Sequence, residues 1–233
     1  MIKKNKNILK HAVYDKTFPK IVPSKTNVPD WFKDSLKFPN GSKAELRLPY
    51  DVTFKLCSSF SDSFLSGYMI PLPVDISVEQ TNSGPVISWN DSSAKFVELR
   101  RKEVNKNLPT PEGYADMHFA WRIHHMFKVP KGYSALVTHP LNRFDLPFLT
   151  LSGIVDGEMS VYGGNIPVFF NKTFEGIVEA GTPIAQIILF KTENWDSKED
   201  DSIIQEAMFN EKSSLNAAHG WYKKNIWKQK RYN

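Results

Sequence analysis

Three groups of side chains in this 233-residue chain have types and spacings that could carry chemistry. Asp156 closes the apolar run Leu149–Val155 and stands directly before Gly157. A carboxylate at a strand end can take a proton from water as a general base. Asp-Gly is equally a turn dipeptide that needs no ligand. His118, His124, His125 and His139 fall within 22 residues of one another. Read as one strand, His118 and His124 point to one face and His125 to the other. A two-histidine metal site completed by His139 or a carboxylate is one reading. Histidines satisfied inside strands are the preferred one, so no metal ligand is assigned. The chain has no Cys pair, no His-x-Glu and no Pro-Cys-x-x-Cys, which excludes a zinc deaminase. The third group is Trp221, Tyr222, Trp227 and Tyr232, set among five basic residues in 221–233. Such aromatics can stack on bases, anchor in a pocket of another subunit, or pack on their own domain.

The elements that must position these groups are mostly strands. Tyr133, Ala135 and Val137 alternate with Ser134, Leu136 and Thr138 after the Pro130–Gly132 turn. Leu149–Val155, Ile166–Phe170 and Ile184–Phe190 are short apolar runs rich in Val, Ile and Phe, each bounded by turn residues. The spacing predicts at least four strands between Val129 and Lys191 and no helix there. Upstream, Val52, Phe54 and Leu56 alternate like a strand, and Ser58–Ser66 reads as a polar turn. Pro71 and Pro73 point to an edge strand or bulge in Gly67–Val78. Asn82–Pro85 suggests that Ile76–Trp89 is a hairpin. Residues 91–116 read as a charged surface excursion, and His118–Phe127 as one strand. Pro29–Phe32 opens a short amphipathic piece with Asp30 as its N-cap. Ile203, Ile204, Ala207 and Met208 have helical spacing, and Gly220 is a stop signal.

Part of the same stretch carries a family resemblance. GIVDGEMSVYGGNIPVFF, followed by GTPIAQIILF, resembles the central part of dUTPase-like proteins, which include the related dCTP deaminases. Gly153, Ile154, Val155 and Asp156 match a Gly-(apolar)2-Asp segment. Tyr162 and Gly164 match the turn that follows. Gly181, Ile184, Ala185 and Gln186 match a Gly-x-x-Ile-Ala-Gln strand. The resemblance covers about a quarter of the chain. It implies a β-clip or distorted jelly-roll fold, often trimeric. It also implies that Asp156 activates water for attack on a phosphate and that Tyr162 stacks on a deoxyribose. The whole chain further resembles an uncharacterised family of phage and bacterial proteins, through Gly67-Tyr68 with Pro71-Leu72-Pro73, Trp121-x-Ile123, Pro130-x-Gly132-Tyr133-Ser134, and the Tyr222 and Trp227 tail.

This sequence also departs from the dUTPase pattern. Where Arg-Ser-Gly would bind phosphate, residues 138–143 read THPLNR, and only Arg143 keeps the charge. A Trp/Tyr/Lys tail replaces the Gly-rich C-terminal arm. A triphosphate needs metal, Arg or backbone N–H groups to offset its charge, and one Asp with one Arg is too few. Mg2+ is therefore expected only if the chain hydrolyses nucleotides, and otherwise no cofactor. Ligand contacts, if any, are expected from Tyr162, Arg143 and Gln186.

The totals bound the rest. The formal net charge is +5, unevenly placed. Residues 1–25 carry seven lysines and one acid, and residues 221–233 carry five basic residues and no acid. That leaves 18 basic against 24 acidic residues between them, or −6. Basic ends flanking an acidic body fit solvated tails or tails docked on a neighbouring subunit better than nucleic-acid binding. The single cysteine, Cys57, excludes an internal disulfide and suits a reducing cytosol or a particle assembled there. No apolar run approaches the ~20 residues that cross a bilayer, and no signal peptide is visible. The expectation is a mainly β chain: an N-terminal arm (1–28), a dUTPase-like β domain (29–193), and a C-terminal helix with a basic aromatic tail (194–233). It is expected to form a homo-oligomer, a trimer or a larger assembly. Trp221, Tyr222, Trp227 and Tyr232 are expected at the interface. The departures favour binding or assembly, as in a phage virion component, over nucleotide hydrolysis through Asp156. Its place is then the cytoplasm, or the virion if phage-encoded.

Overall fold

Short β-branched and aromatic runs cut by Gly, Pro and Asn cannot bury a face alone, so they pair edge to edge. The computed structural model describes residues 7–38, 53–101, 103, 106–157, 160–161, 164–216 and 221–233. It divides the chain into two compact units: Met1–Asn27 with Gly67–Thr192, and Val28–Ser66 with Glu193–Asn233.

The described residues of the first unit form strands, apart from a 3-10 turn at Ser24–Thr26. Its strands are β1 (Lys10–Val13), β2 (Val22–Pro23), β3 (Tyr68–Pro71), β4 (Ile76–Thr81), β5 (Gly84–Ser88), β6 (Val97–Arg100), β7 (His118–Arg122), β8 (His125–Lys128), β9 (Tyr133–Thr138), β10 (Phe148–Thr150), β11 (Gly153–Asp156), β12 (Ser160–Val161), β13 (Asn165–Phe170), β14 (Gly176–Val178) and β15 (Pro183–Lys191). They form four sheets, in the orders β1-β8-β12, β10-β13-β7-β6, β11-β9-β15-β3-β2 and β14-β4-β5. The pairings are antiparallel. Sequence-distant partners such as β3 and β15 lie side by side, so the chain crosses repeatedly between sheets.

Aromatic packing fixes the core. Trp121 is fully buried, edge-on to Phe148 and Phe170 at ring distances of 5.0 and 5.4 Å. Such pairs add about 0.5–1.5 kcal/mol beyond area burial. The indole N–H donates to Thr150 Oγ1 at 3.0 Å, and Thr150 Oγ1 donates to the Ile184 carbonyl at 2.6 Å. No polar atom of that chain is left without a partner, which is what burial requires. Gly67 opens β3 at φ 73°, and a Cβ there would lie 1.9 Å from the Ile187 carbonyl oxygen. Only glycine lets β3 and β15 approach so closely.

The second unit is helical. It contains α1 (Asp30–Asp34), a 3-10 turn at Phe54–Leu56, α2 (Ser58–Leu65), α3 (Ser202–Asn216) and α4 (Trp221–Asn225). Trp31, Phe32, Phe54, Phe60 and Phe64 gather there, with Phe32 and Phe64 rings 4.6 Å apart. The Lys55 ammonium lies 4.5 Å from the Phe32 ring centre.

The β core and the 76–89 hairpin agree with the sequence reading, and Val129–Lys191 carries strands throughout its described residues. Several local expectations need correction. Phe54–Leu56 is a 3-10 turn, not a strand, because its aromatics pack on α1 and α2. Ser58–Leu65 is a helix, since Phe60 and Phe64 sit at i,i+4 and outweigh the serines. The N-cap of α1 is Pro29 rather than Asp30, with no side-chain cap bond. Val97–Arg100 leaves the surface loop to pair with β7. The 118–127 strand is broken: β7 ends at Arg122 and β8 begins at His125, on different sheets.

Candidate functional site

The residues with chemical potential are distributed along β9. At its start, Ser134 pairs with Asp156 of β11. The Ser134 hydroxyl donates to Asp156 Oδ1 at 2.9 Å. It lies 2.7 Å from Thr192 Oγ1. With its only proton committed to Asp156, it must accept there. Asp156 is exposed at the strand end, holding a buried serine in place.

At the other end, Thr138 pairs with Gln186 of β15. Gln186 is fully buried, and its Oε1 accepts the Leu141 N–H at 2.8 Å. Arg143 closes the turn that follows. Its Nε and Nη2 fork onto Asp145 at 2.8 and 2.7 Å, and Nη1 reaches the Asn27 carbonyl at 3.4 Å. His139 Nδ1 accepts the Thr150 N–H at 3.3 Å, so Nε2 carries the proton and donates to the Arg143 carbonyl at 3.0 Å. Burial, then the Arg143 charge, keeps His139 below the usual histidine range, opposed by its backbone bond. Asn142, at φ 58°, completes this tight loop.

The two ends are separated by the strand itself. From Ser134 to Thr138 is four residues, roughly 13 Å of extended chain. Arg143 and Gln186 therefore share one end while Asp156 occupies the other. Tyr162 lies outside the described residues. Asp75, the other acid near a strand, accepts the Ala180 N–H at 2.7 Å and ties β4 to the turn before β15.

The histidines also go to separate places. His118 lies edge-on to Phe169, while His124 contacts the Phe18 and Phe96 rings and bonds the Lys95 carbonyl at 2.8 Å. His125 is buried and donates from Nε2 to the Pro19 carbonyl at 2.7 Å. The break after Arg122 removes the shared face that a two-histidine site needed. Among the described residues, no three His, Cys, Asp or Glu side chains gather as metal ligands would.

In the tail, Trp227 Nε1 donates to Asp62 Oδ2 of α2 at 2.9 Å, and Lys230 pairs with the same carboxylate. Lys223 sits 5.8 Å from the Trp227 ring centre. Tyr222 is exposed and Tyr232 half-buried, and Trp221 begins α4. Sequence reasoning passed over Asp62. The i,i+4 phenylalanines around it are the signal that would have placed it on a helix.

Two hollows remain. An apolar one of about 240 Å³ lies between the limbs of β11 and β13, lined by Ile70, Phe127, Val137, Ile154, Ile166 and Pro167 among others. It falls below the roughly 300–1,000 Å³ of typical ligand clefts. An open cleft of about 610 Å³ lies between Tyr14–Phe18, Ser93 and His124. Its Asp15 carboxylate is engaged by Thr17.

No family model matches the chain, and no curated protein matches it. Among solved structures, a dUTPase of Staphylococcus bacteriophage 80alpha with dUPNHPP is 13% identical. The match covers 84% of this chain and 89% of that one at a TM-score of 0.38. A dUTPase from phage phi11 of S. aureus is 11% identical, with 84% and 97% covered and a TM-score of 0.36.

Proposed function

We propose that this chain is a non-enzymatic binding or assembly protein, of the kind incorporated into a phage particle, working as a homo-oligomer in the cytoplasm or the virion. The observation that carries this reading is the separation along β9. Asp156 and Arg143, the residues needed to activate water and grip phosphate, sit at opposite ends of the strand. Each already serves an internal partner, Ser134 and Asp145 respectively. A hydrolase must bring base and cation to one substrate. The basic ends and the exposed apolar residues of the C-terminal segment further favour protein contacts.

One observation favours a second reading, a nucleotide hydrolase or nucleotide-binding regulator using Asp156. The apolar hollow is lined by Val155, next to Asp156 in the chain. The two readings separate in one assay. Incubating the protein with each deoxynucleoside triphosphate and Mg2+ should release no pyrophosphate above the buffer rate. Turnover that disappears in Asp156→Asn would overturn the assembly reading.

A further inference from the structure

The loop after β9 carries a bare aromatic ring on a rigid support. Phe144 is 83% exposed, the highest value for a large apolar side chain among the described residues of the first unit. Its loop is not free to fold the ring away. The Arg143 N–H donates to the Pro140 carbonyl at 3.1 Å, and the Leu146 N–H to the Arg143 carbonyl at 3.3 Å. Gln186 holds Leu141, His139 holds the Arg143 carbonyl, and Asn142 adds its turn. The two charges beside Phe144 are spent on each other, because Arg143 forks onto Asp145. A partner that covers the ring therefore has no loop to order and strands no unpaired charge.

The apolar hollow of the same unit has the complementary shape. Its floor includes Phe127 and Val137, both buried, and its mouth Ile154 and Pro167, both exposed. Ile154, 65% exposed, is the next barest apolar side chain of the unit after Phe144. An apolar cavity of about 150 Å³ takes one benzene ring. A hollow of about 240 Å³ takes a phenyl ring with its methylene and little more. The two polar side chains of the lining, Ser152 and Asn165, are already engaged by Thr138 and Arg122. A hydrocarbon side chain suits such a lining better than a group that needs hydrogen bonds. Phe144 does not line the hollow of its own chain.

We infer that Phe144 of one copy seats in the hollow between β11 and β13 of a second copy of this chain. Knob and hollow are different surfaces, so the contact is heterologous, and copies joined this way form a ring where the rotation closes. One ring side chain covers about 150–250 Å², roughly a quarter of the ~800 Å² that a standard interface takes from each partner. Phe144 is therefore the anchor of the contact and not its whole extent. In a closed ring every copy is held twice, once by its knob and once by its hollow. The inference deepens the assembly reading above and rests on it.

Sedimentation of the full chain over roughly 1–100 µM, the range in which a weak interface dissociates, tests it. Association is expected, weakened about 10- to 100-fold in Phe144→Ala, as the loss of one buried aromatic side chain implies. Phe144→Leu, which keeps an apolar knob, should lose less. Disulfide trapping reads the contact directly and uses two exposed positions, so neither change empties the core. In a Cys57→Ser background, Phe144→Cys and Ile154→Cys chains should cross-link when mixed, and not when either is oxidised by itself. A wild type that stays monomeric across the range overturns the inference. So does association unchanged in Phe144→Ala, or a mixture that gives no mixed dimer. Nucleotide turnover measured on the same samples keeps the two readings apart: turnover by a chain that associates through Phe144 overturns only the assembly function, and a monomer without turnover overturns only the Phe144 contact.

Discussion

Each unit gives an indole N–H a side-chain acceptor, and the two do so in opposite ways. In the β unit, Trp121 donates to Thr150, whose hydroxyl passes the bond on to a backbone carbonyl of β15. The partners are neutral and held by neighbouring strands, and the ring is sealed by Phe148 and Phe170. In the helical unit, Trp227 donates to the carboxylate of Asp62, which also takes Lys230. That contact joins residues 165 apart and ties a basic tail to a short helix. The first arrangement comes from sheet packing and would persist without its hydrogen bonds being strong. The second depends on one buried carboxylate, and its removal leaves two donors without an acceptor.

The comparison predicts a large effect and a smaller, confined one. Trp121→Ala should cost about 3–5 kcal/mol, the range for emptying an aromatic core position, read as a lowered denaturation midpoint. Asp62→Ala should cost about 1–3 kcal/mol, the range for losing a hydrogen bond to a charged group, with little added by the exposed Lys230. Hydrogen exchange should quicken in 53–65 and 221–233 for Asp62→Ala while β13 and β15 keep their protection. Equal loss of protection in both regions would show that the units unfold as one and would break the comparison.

A second contrast lies in pH. Three histidines of the β unit hold a proton less readily than usual: buried His125, half-buried His139 and, at the exposed edge strand β1, His11. Burial is the leading cause of their lowered proton affinity, helped by Lys20 at His11 and by neighbouring histidines at His125. His125 is the most constrained, because Nε2–H serves Pro19 and buried Nδ1 has no partner to receive a second proton. The unfolded chain takes up protons near the ordinary value of 6.5, and the folded β unit only below it. Stability is therefore complete above about pH 6.5 and declines as pH falls from there toward the folded values. The slope is at most about 1.4 kcal/mol per pH unit for each histidine. Denaturant midpoints from pH 8 to 5 check this: His125→Gln should flatten the curve, and an unchanged slope would remove His125 as a cause.

These cases also show what the sequence makes legible. The alternation in Tyr133–Thr138 signals a half-buried strand and the apolar run Ile184–Phe190 a short apolar strand, and both became inner strands of one sheet. The serines of 58–65 obscured a helix because intrinsic propensity is weak beside the contacts of Phe60 and Phe64. The site was less legible than the fold. Asp156, Arg143 and Gln186 are identifiable as residues, but their separation follows from strand register, which no local spacing encodes. Asp145 and Thr192, the groups that engage the site at its two ends, lie in turns and termini where nothing in the sequence marked them.

The smallest expected effect bears most directly on function. Asp156→Ala removes the acceptor for one bond of Ser134. Ser134 remains bonded to Thr192 Oγ1, so its hydroxyl is not stranded. Asp156 is exposed at a strand end, so no cavity forms. The change should therefore cost no more than about 0.5–1 kcal/mol, and self-association should keep its wild-type concentration dependence. Asp156→Asn, which retains an acceptor oxygen for Ser134, should cost less. A binding protein tolerates both substitutions without functional change. A hydrolase would show a different pattern: near-native stability in both variants with nucleotide turnover lost in both. Calorimetric melting beside the pyrophosphate assay distinguishes the two, because removing a structural acceptor alters only the melt and removing a catalytic base alters only the rate.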